Sequence, residues 1–221
     1  MPEQTPPEPI RIAAAGPEHL STAGQVLADA FQDEASTNHI LDLATPQARR
    51  SFAHAMTLSL IRSYAQGSTI LVAMRDDAVV GVAALARSGG PARASFLVRM
   101  RGMLPHMPGL VRLAAHLRWR NLIAAGRAIQ TPPGLSEGND LLEWLAVAPG
   151  QQGRGIGRML LAALQTGQGG QMRSRGIYTY TVGEGNRVFY ERCGYRVRAR
   201  QGAGPAFVVY HLTLPSDRAT A

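Results

Sequence analysis

The sequence predicts an α/β (α+β) fold, with strands and helices interleaved about one sheet. Three observations predict it. Short runs rich in β-branched and small apolar residues recur along the chain, at Ile10–Ala15, Thr69–Met74, Val79–Ala86, Gly176–Val182 and Phe207–Leu214. Between them lie longer stretches with apolar residues at helical spacing. The third is the stretch Leu141–Leu164, which reads as strand, glycine-rich turn and helix in direct succession. With 45% hydrophobic and 17% charged residues, the 221-residue chain has enough apolar material for a core.

Taken in order, Ile10–Ala15 is a first strand. A helix follows from Pro17 to about Phe31, with Leu20, Gly24, Leu27, Ala28 and Phe31 on one face and proline in its first turn. Gln32-Asp33-Glu34 ends it in polar residues. Thr45-Pro46 opens a second helix, a capping hydroxyl followed by an N1 proline, and Gly67 breaks it. Two strands, Thr69–Met74 and Val79–Ala86, join at a hairpin turn, Arg75-Asp76-Asp77.

Ser88–Gly138 is bounded by Gly89-Gly90-Pro91 and Pro132-Pro133-Gly134, and prolines 105 and 108 break its helical spacing. It predicts a helical insertion over about 92–135, made of two or three short helices. From Ala78 to Ser136 there is no Asp or Glu, while Arg93, Arg99, Arg101, Arg112, Arg118, Arg120 and Arg127 lie inside. A basic patch of this kind suits an acceptor pocket, a membrane surface or nucleic acid. The reading preferred here is that these arginines solvate the outer faces of helices packed on their inner sides.

Leu141–Val147 is apolar apart from Glu143, and Ala148-Pro149-Gly150 stops it. Ile156, Met159, Leu160, Ala163 and Leu164 then recur at helical spacing. The first N–H groups of a helix lack intrahelical partners and sit at its positive end. Glycines before that end let a ligand approach the backbone, which makes a cradle for phosphate. Arg154 and Arg158 would add charge-assisted hydrogen bonds. A Walker-type loop needs lysine, and the chain has none. A dinucleotide G-x-G-x-x-G would need glycine at position 158 and an acid about 20 residues on, closing the next strand, and neither is present. The pattern Q/R-x-x-G-x-G/A is met by Gln152, Gly155 and Gly157.

That turn, with Leu145-Ala146-Val147 and Pro149 before it, resembles the pyrophosphate-binding turn of the GCN5-related N-acetyltransferases (GNAT superfamily). Asn186-Arg187-Val188-Phe189-Tyr190-Glu191-Arg192-Cys193-Gly194-Tyr195 resembles a second segment of the same family, and the layout is weakly similar to puromycin-type antibiotic acetyltransferases. The resemblance covers roughly residues 9–214. It implies a mixed, mostly antiparallel sheet flanked by helices, splayed at the motif strand. It also implies acetyl-CoA as co-substrate, held by Leu145, Ala146, Val147, Gln152, Gly153, Arg154, Gly155, Ile156, Gly157, Arg158, Asn186 and Tyr190. Tyr190 would protonate the departing thiolate, with a satisfied core aromatic as its plain alternative.

Glu143 is the base candidate, as the only charge in the motif strand, on the face expected to be shared with Leu145 and Val147. Its plain alternative is an ion pair with an arginine at a strand edge. Family bases usually fall a few residues earlier, at positions held here by Leu141 or Asn139. Phe31, Asp33 and Glu34 are the acceptor-binding candidates, as acids at this helix end are in some relatives. Trp144 is expected to face away from Glu143 and pack in the core.

The activity implied is transfer of acetyl to a primary amine, of an antibiotic or other small molecule, directly in a ternary complex. A protein or peptide N-acetyltransferase and a non-catalytic CoA-binding module are the alternatives. The six histidines show no ligand spacing and are expected to be solvated or capping, so no metal is expected. Lone Cys193 permits no internal disulfide and reads as a small buried residue. No run reaches the ~18 apolar residues of a membrane span. The proline-rich, acidic MPEQTPPEPI lacks a signal pattern, so a cytoplasmic location is expected. A net charge of +8 is accounted for mostly by solubility. Neither nucleic acid nor membrane is expected as a partner, and the chain is expected to be a monomer or homodimer. One domain, 9–214, is expected between loose tails, 1–8 and 215–221.

Overall fold

A computed structural model describes residues 9–88, 107–166, 176–202 and 207–215. The expected tail 1–8, the expected tail 215–221 beyond Pro215 (which ends the last strand), the first part of the insertion up to 106, and most of the turn 201–205 lie outside the described residues.

The elements follow the order read from the sequence: β1 (Arg11–Ala14), a 3-10 turn (Pro17–His19), α1 (Leu20–Phe31), α2 (Ala35–Ile40), α3 (Pro46–Ala65), β2 (Thr69–Arg75) and β3 (Ala78–Ala86). Then come α4 (Met107–Ala114), α5 (Trp119–Ala128), β4 (Asp140–Val147), α6 (Ile156–Gln165), β5 (Gly176–Val182), α7 (Glu184–Arg192), β6 (Arg196–Gly202) and β7 (Val208–Pro215). Thr45 caps α3 as expected, its Oγ1 accepting from Ala48 N at 3.1 Å. The β2–β3 turn holds Asp76 and Asp77 at φ 48° and 60°, a left-handed pair that aspartate tolerates and that matches the twist of a hairpin.

The seven strands form one sheet in the order β1-β2-β3-β4-β5-β7-β6. Every pairing is antiparallel except β4 with β5. That parallel pair is brief: Asp140 faces Ile177 and Leu141 faces Tyr178, and the ladder stops there. β5 meanwhile stays paired to β7 along Gly176–Val182, and β4 stays paired to β3 as far as Val147. The two halves of the sheet therefore diverge like a wedge from residue 142 onward. Thr179 Oγ1 reaches back to Leu142 O at 3.2 Å across the start of the split.

The core lies on both faces. On one, Leu71, Ala83, Leu142 and Ile177 pack under α6 and α7 through Ile156, Leu160, Leu164 and Tyr190. On the other, Val72, Val82 and Ala146 pack under α1 and α3 through Leu20, Leu27 and Leu60. α1 and α3 cross at Gly24, where a Cβ would lie 2.5 Å from the Thr57 Cα. The lower part of the insertion is docked rather than loose. Ala125 and Ala128 of α5 are buried against Phe207 and Val209.

Three features depart from the expectations. α2 was not legible: its Ser-Thr-Asn-His sequence has low helix propensity and no periodic apolar face. It exists because the insertion grips it. Asn121 Nδ2 donates to His39 O (2.8 Å), Arg118 Nη1 donates to Asn38 O (2.7 Å), and Arg118 N donates to Ile40 O (2.9 Å). His211 is not solvated but fully buried in β7, its Nδ1 2.7 Å from the Tyr178 hydroxyl. The third is a β-bulge in β4. Trp144 faces Ala84 but Leu142 faces Leu85, so Glu143 has no residue opposite it. The insertion's arginines 112, 118, 120 and 127 are exposed.

Candidate active site

The bulge decides where Glu143 points. Simple alternation would put it with Leu145 and Val147, on the α6 side. The extra residue breaks the alternation. Leu142 packs in the α6 cluster while Trp144 packs in the α1–α3 cluster. Glu143 accepts from Ser68 Oγ at 3.2 Å, and Ser68 leads into β2 from α3. The acid thus projects to the α1–α3 side together with Trp144, which corrects both expected orientations. No described ion pair involves it.

Where β4 and β5 separate, a cavity of about 630 Å³ opens. One end is the turn between β4 and α6. Gly153 and Gly155 hold φ of 75° and 80°, which only glycine adopts cheaply, and Gly155 is the N-cap of α6. At Gly157 the reason for glycine is contact: a Cβ would stand 3.3 Å from the Phe189 ring. Gln152 Nε2 donates to Val147 O at 3.1 Å and folds the turn back on the strand. Gln151 is held by Arg75, whose Nη1 donates to its Oε1 at 2.5 Å. The result is a set of bare backbone donors at the positive end of α6, with Arg158 beside them.

Along the wedge, the cavity passes between β4 (Leu145, Ala146, Val147) and β5 (Thr179, Tyr180, Thr181). α7 closes one side with Asn186, Phe189 and Tyr190. Asn186 is anchored by Nδ2 donating to Val182 O at 3.1 Å. Tyr190 is buried edge-on to Phe189 and Tyr195, and burial pushes its phenol well above the ordinary tyrosine range. Its hydroxyl is bonded to Thr179.

The opposite wall comes from the end of α1 and the turn into α2: Phe31, Glu34 and Ser36. Phe31 leans on Trp144, ring centroids 6.1 Å apart. Ser36 Oγ donates to Glu34 Oε2 at 3.1 Å, and the Asn186 amide also faces this carboxylate. Burial raises the Glu34 pKa above its ordinary value, and these hydrogen bonds only partly offset it. Tyr180 is likewise raised, first by burial and then by the charge of Glu143.

The wedge therefore brings together most of the residues singled out from the sequence: Phe31, Glu34, Glu143, Leu145–Val147, Gln152, Gly153, Gly155–Arg158, Asn186 and Tyr190. Asp33 and Arg154 do not line it. Asp33 turns outward and pairs with Arg49 at 3.2 Å. Gln151, Ser36, Thr179, Tyr180 and Trp144 line it without having been singled out. Alternation along β5 puts Thr179 and Tyr180 on opposite faces, but nothing in the sequence says that β4 and β5 part. Among the described residues no group of side chains is arranged to hold a metal ion, and no helix is long and apolar enough to cross a membrane.

Comparison with known proteins agrees with this geometry. A family model described as an acetyltransferase (GNAT) domain matches residues 112–197, from α4 to the start of β6. The fold is similar to that of a Corynebacterium glutamicum structure described as histone acetyltransferase HPA2 and related acetyltransferase. The TM-score is 0.64 at 17% identity, over 94% of this chain and 96% of that one. It is also similar to yncA from Salmonella typhimurium, solved with its cofactor acetyl-CoA (TM-score 0.55, 15% identity, 96% of each chain). A third is the PaiA N-acetyltransferase from Thermoplasma acidophilum in complex with coenzyme A (TM-score 0.55, 12% identity, 92% and 98%). No curated protein sequence matches the chain. The family match falls on the strand, turn, helix and wedge described above: residues 112–197 match the acetyltransferase (GNAT) domain, and the chain as a whole shares the fold of these acetyltransferase structures.

Proposed function

We propose that the protein binds acetyl-CoA along the wedge and transfers its acetyl group directly to a primary amine of a small molecule. The observation that carries this is the early end of the β4–β5 ladder. It opens a slot leading from the anion cradle at the α6 N-terminus to Tyr190 and the two glutamates. The backbone donors from Gln152 to Arg158 would hold the diphosphate. Leu145, Ala146 and Val147 would line the pantetheine arm, with Asn186 on the other side.

The chemistry assigns roles to the chain's own residues. Only a neutral amine attacks a thioester. An amine with a pKa near 10.4 costs roughly 4–5 kcal/mol to deprotonate at pH 7, at ~1.36 kcal/mol per unit. Glu143, from the bulge, would take that proton. The oxyanion that forms would be met by a β4 backbone N–H between Leu145 and Val147, where the strand has lost its neighbour. Tyr190, kept protonated by burial, would give its proton to the leaving thiolate. Phe31 and Glu34 would hold the acceptor. Asp33, at the same helix end but outside the cavity, would act only on the field at its mouth. The protein would work in the cytoplasm as a monomer or homodimer, without nucleic acid or membrane.

Release of free CoA thiol from acetyl-CoA, followed over a panel of amines, tests the proposal. Isothermal calorimetry with CoA tests the first half alone. Tight CoA binding with no transfer to any amine would indicate a non-catalytic module. Turnover restricted to peptide amines would indicate a protein acetyltransferase.

A further inference from the structure

The charges around the cavity are sorted by end. At the cradle stand the α6 N-terminus and Arg158, the one cation among the described lining residues. At the acceptor end stand two carboxylates, Glu34 and Glu143, on different walls. One comes from the α1–α2 turn and the other from the β4 bulge, 109 positions apart in the chain by their numbers. Neither has a described ion pair. Each is held by a neutral hydroxyl instead, Ser36 for Glu34 and Ser68 for Glu143. Such hydroxyls fix where a carboxylate points and leave its charge uncompensated.

Aromatic groups surround the same end. Phe31 and Trp144 form one wall, and Tyr180, 43% exposed, presents a ring from β5. Aromatic faces and carboxylates together favour a cation over a neutral polar group.

One carboxylate is enough for the reaction proposed above. It takes one proton from the attacking ammonium. The nitrogen then bonds to the acetyl carbon, the carbon–sulfur bond breaks, the thiolate leaves with a proton from Tyr190, and the second proton that the nitrogen sheds on becoming an amide restores the phenol. The second carboxylate has no part in that balance. Filling the pocket with an amine of single charge would leave it half-buried and without a cation beside it, which is unfavourable. We infer, on the basis of the function proposed above, that the acceptor is a dication: a primary amine carrying a second positively charged nitrogen that is not acetylated. Glu143 serves the reacting nitrogen, and Glu34, with Phe31 and Trp144, holds the other. The chemical class is that of diamines, polyamines and amino-substituted natural products that carry at least two basic nitrogens.

The test uses the full chain, acetyl-CoA and two matched series: straight-chain monoamines, and α,ω-diamines of three to eight carbons, with a triamine added. A diamine should exceed the monoamine of equal length by about tenfold or more in kcat/KM, chiefly through KM, since the anchored nitrogen does not react. Glu34→Gln should collapse that ratio toward one, and Glu34→Asp should restore part of it. The comparison on the unaltered protein stands even where a variant folds poorly. Monoamines turned over as well as their diamine partners would overturn the inference and leave amine acetylation intact. A protein that binds acetyl-CoA and acetylates no amine would overturn both.

Discussion

Replacing Gly155 by alanine separates backbone strain from cradle chemistry, because Gly67 supplies a matched control. Both glycines have φ of +80°, and around each a new Cβ would meet nothing within 4 Å. In the free protein the two substitutions should therefore cost the same, roughly 1–2 kcal/mol for a left-handed non-glycine residue. At roughly 2–4 °C per kcal/mol for a chain of this size, melting should drop by about 2–8 °C in each. Their surroundings differ. Gly67 follows α3, at the far end of the helix from Thr45, and does not line the cavity. Gly155 caps α6, and the open space above it is where the proposed function puts the diphosphate. Calorimetry should show CoA affinity falling at least about tenfold in Gly155→Ala, or ~1.4 kcal/mol, and changing less than about twofold in Gly67→Ala. Equal affinity in the two variants would refute the cradle, since strain alone would then account for everything.

Other outcomes follow from the same geometry. Tyr190→Phe should lower kcat by about 10²-fold or more at saturating acetyl-CoA, the usual scale for a lost general acid. Burial holds the Tyr190 phenol above its ordinary range, so any alkaline loss of rate below pH ~10 must persist in a different group. The raised carboxyl of Glu34 favours the protonated folded state. Its contribution to stability is fully present below the unfolded carboxyl pKa and is lost as pH rises through the folded value. Glu34→Gln should therefore melt higher than the parent at pH 8, with the gain vanishing toward pH 4, as thermal scans across pH would show. His211 has the opposite sign. Burial lowers its pKa below 6.5, so its contribution is present above 6.5 and lost as pH falls through the folded value. His211→Phe should flatten the fall of melting temperature between about pH 7 and 5, while weakening the fold by about 1 kcal/mol through the lost Tyr178 bond. An unchanged slope would remove His211 as the source.

Strand and helix order was legible because each element carries its own period. β2 and β3 are continuous apolar runs, α6 has a clear apolar face, and Thr45-Pro46 announces α3 by its cap. The cradle was legible for a related reason: a local turn is written in adjacent residues, and Gly153, Gly155 and Gly157 are each needed where they stand. What escaped notice depends on pairing between distant segments. The bulge at Glu143 is set by the register of β3 against β4, and no pattern within β4 announces it. α2 exists through its grip on α5, not through its own sequence. His211 is buried because β7 lies between β5 and β6, and a single histidine among apolar residues does not say on which side water lies.

The bonds from Arg118 and Asn121 to the carbonyls of Asn38 and His39 have a consequence for selectivity. They tether the turn that carries Glu34 to a segment that does not belong to the sheet at all. A substitution in that segment, remote from any reacting atom, would tilt the turn and change the span between the two carboxylates. Acceptor preference would then drift through changes at the tether while the thioester chemistry stayed as it was. Loss of the Arg118 side chain is the smallest step of that kind.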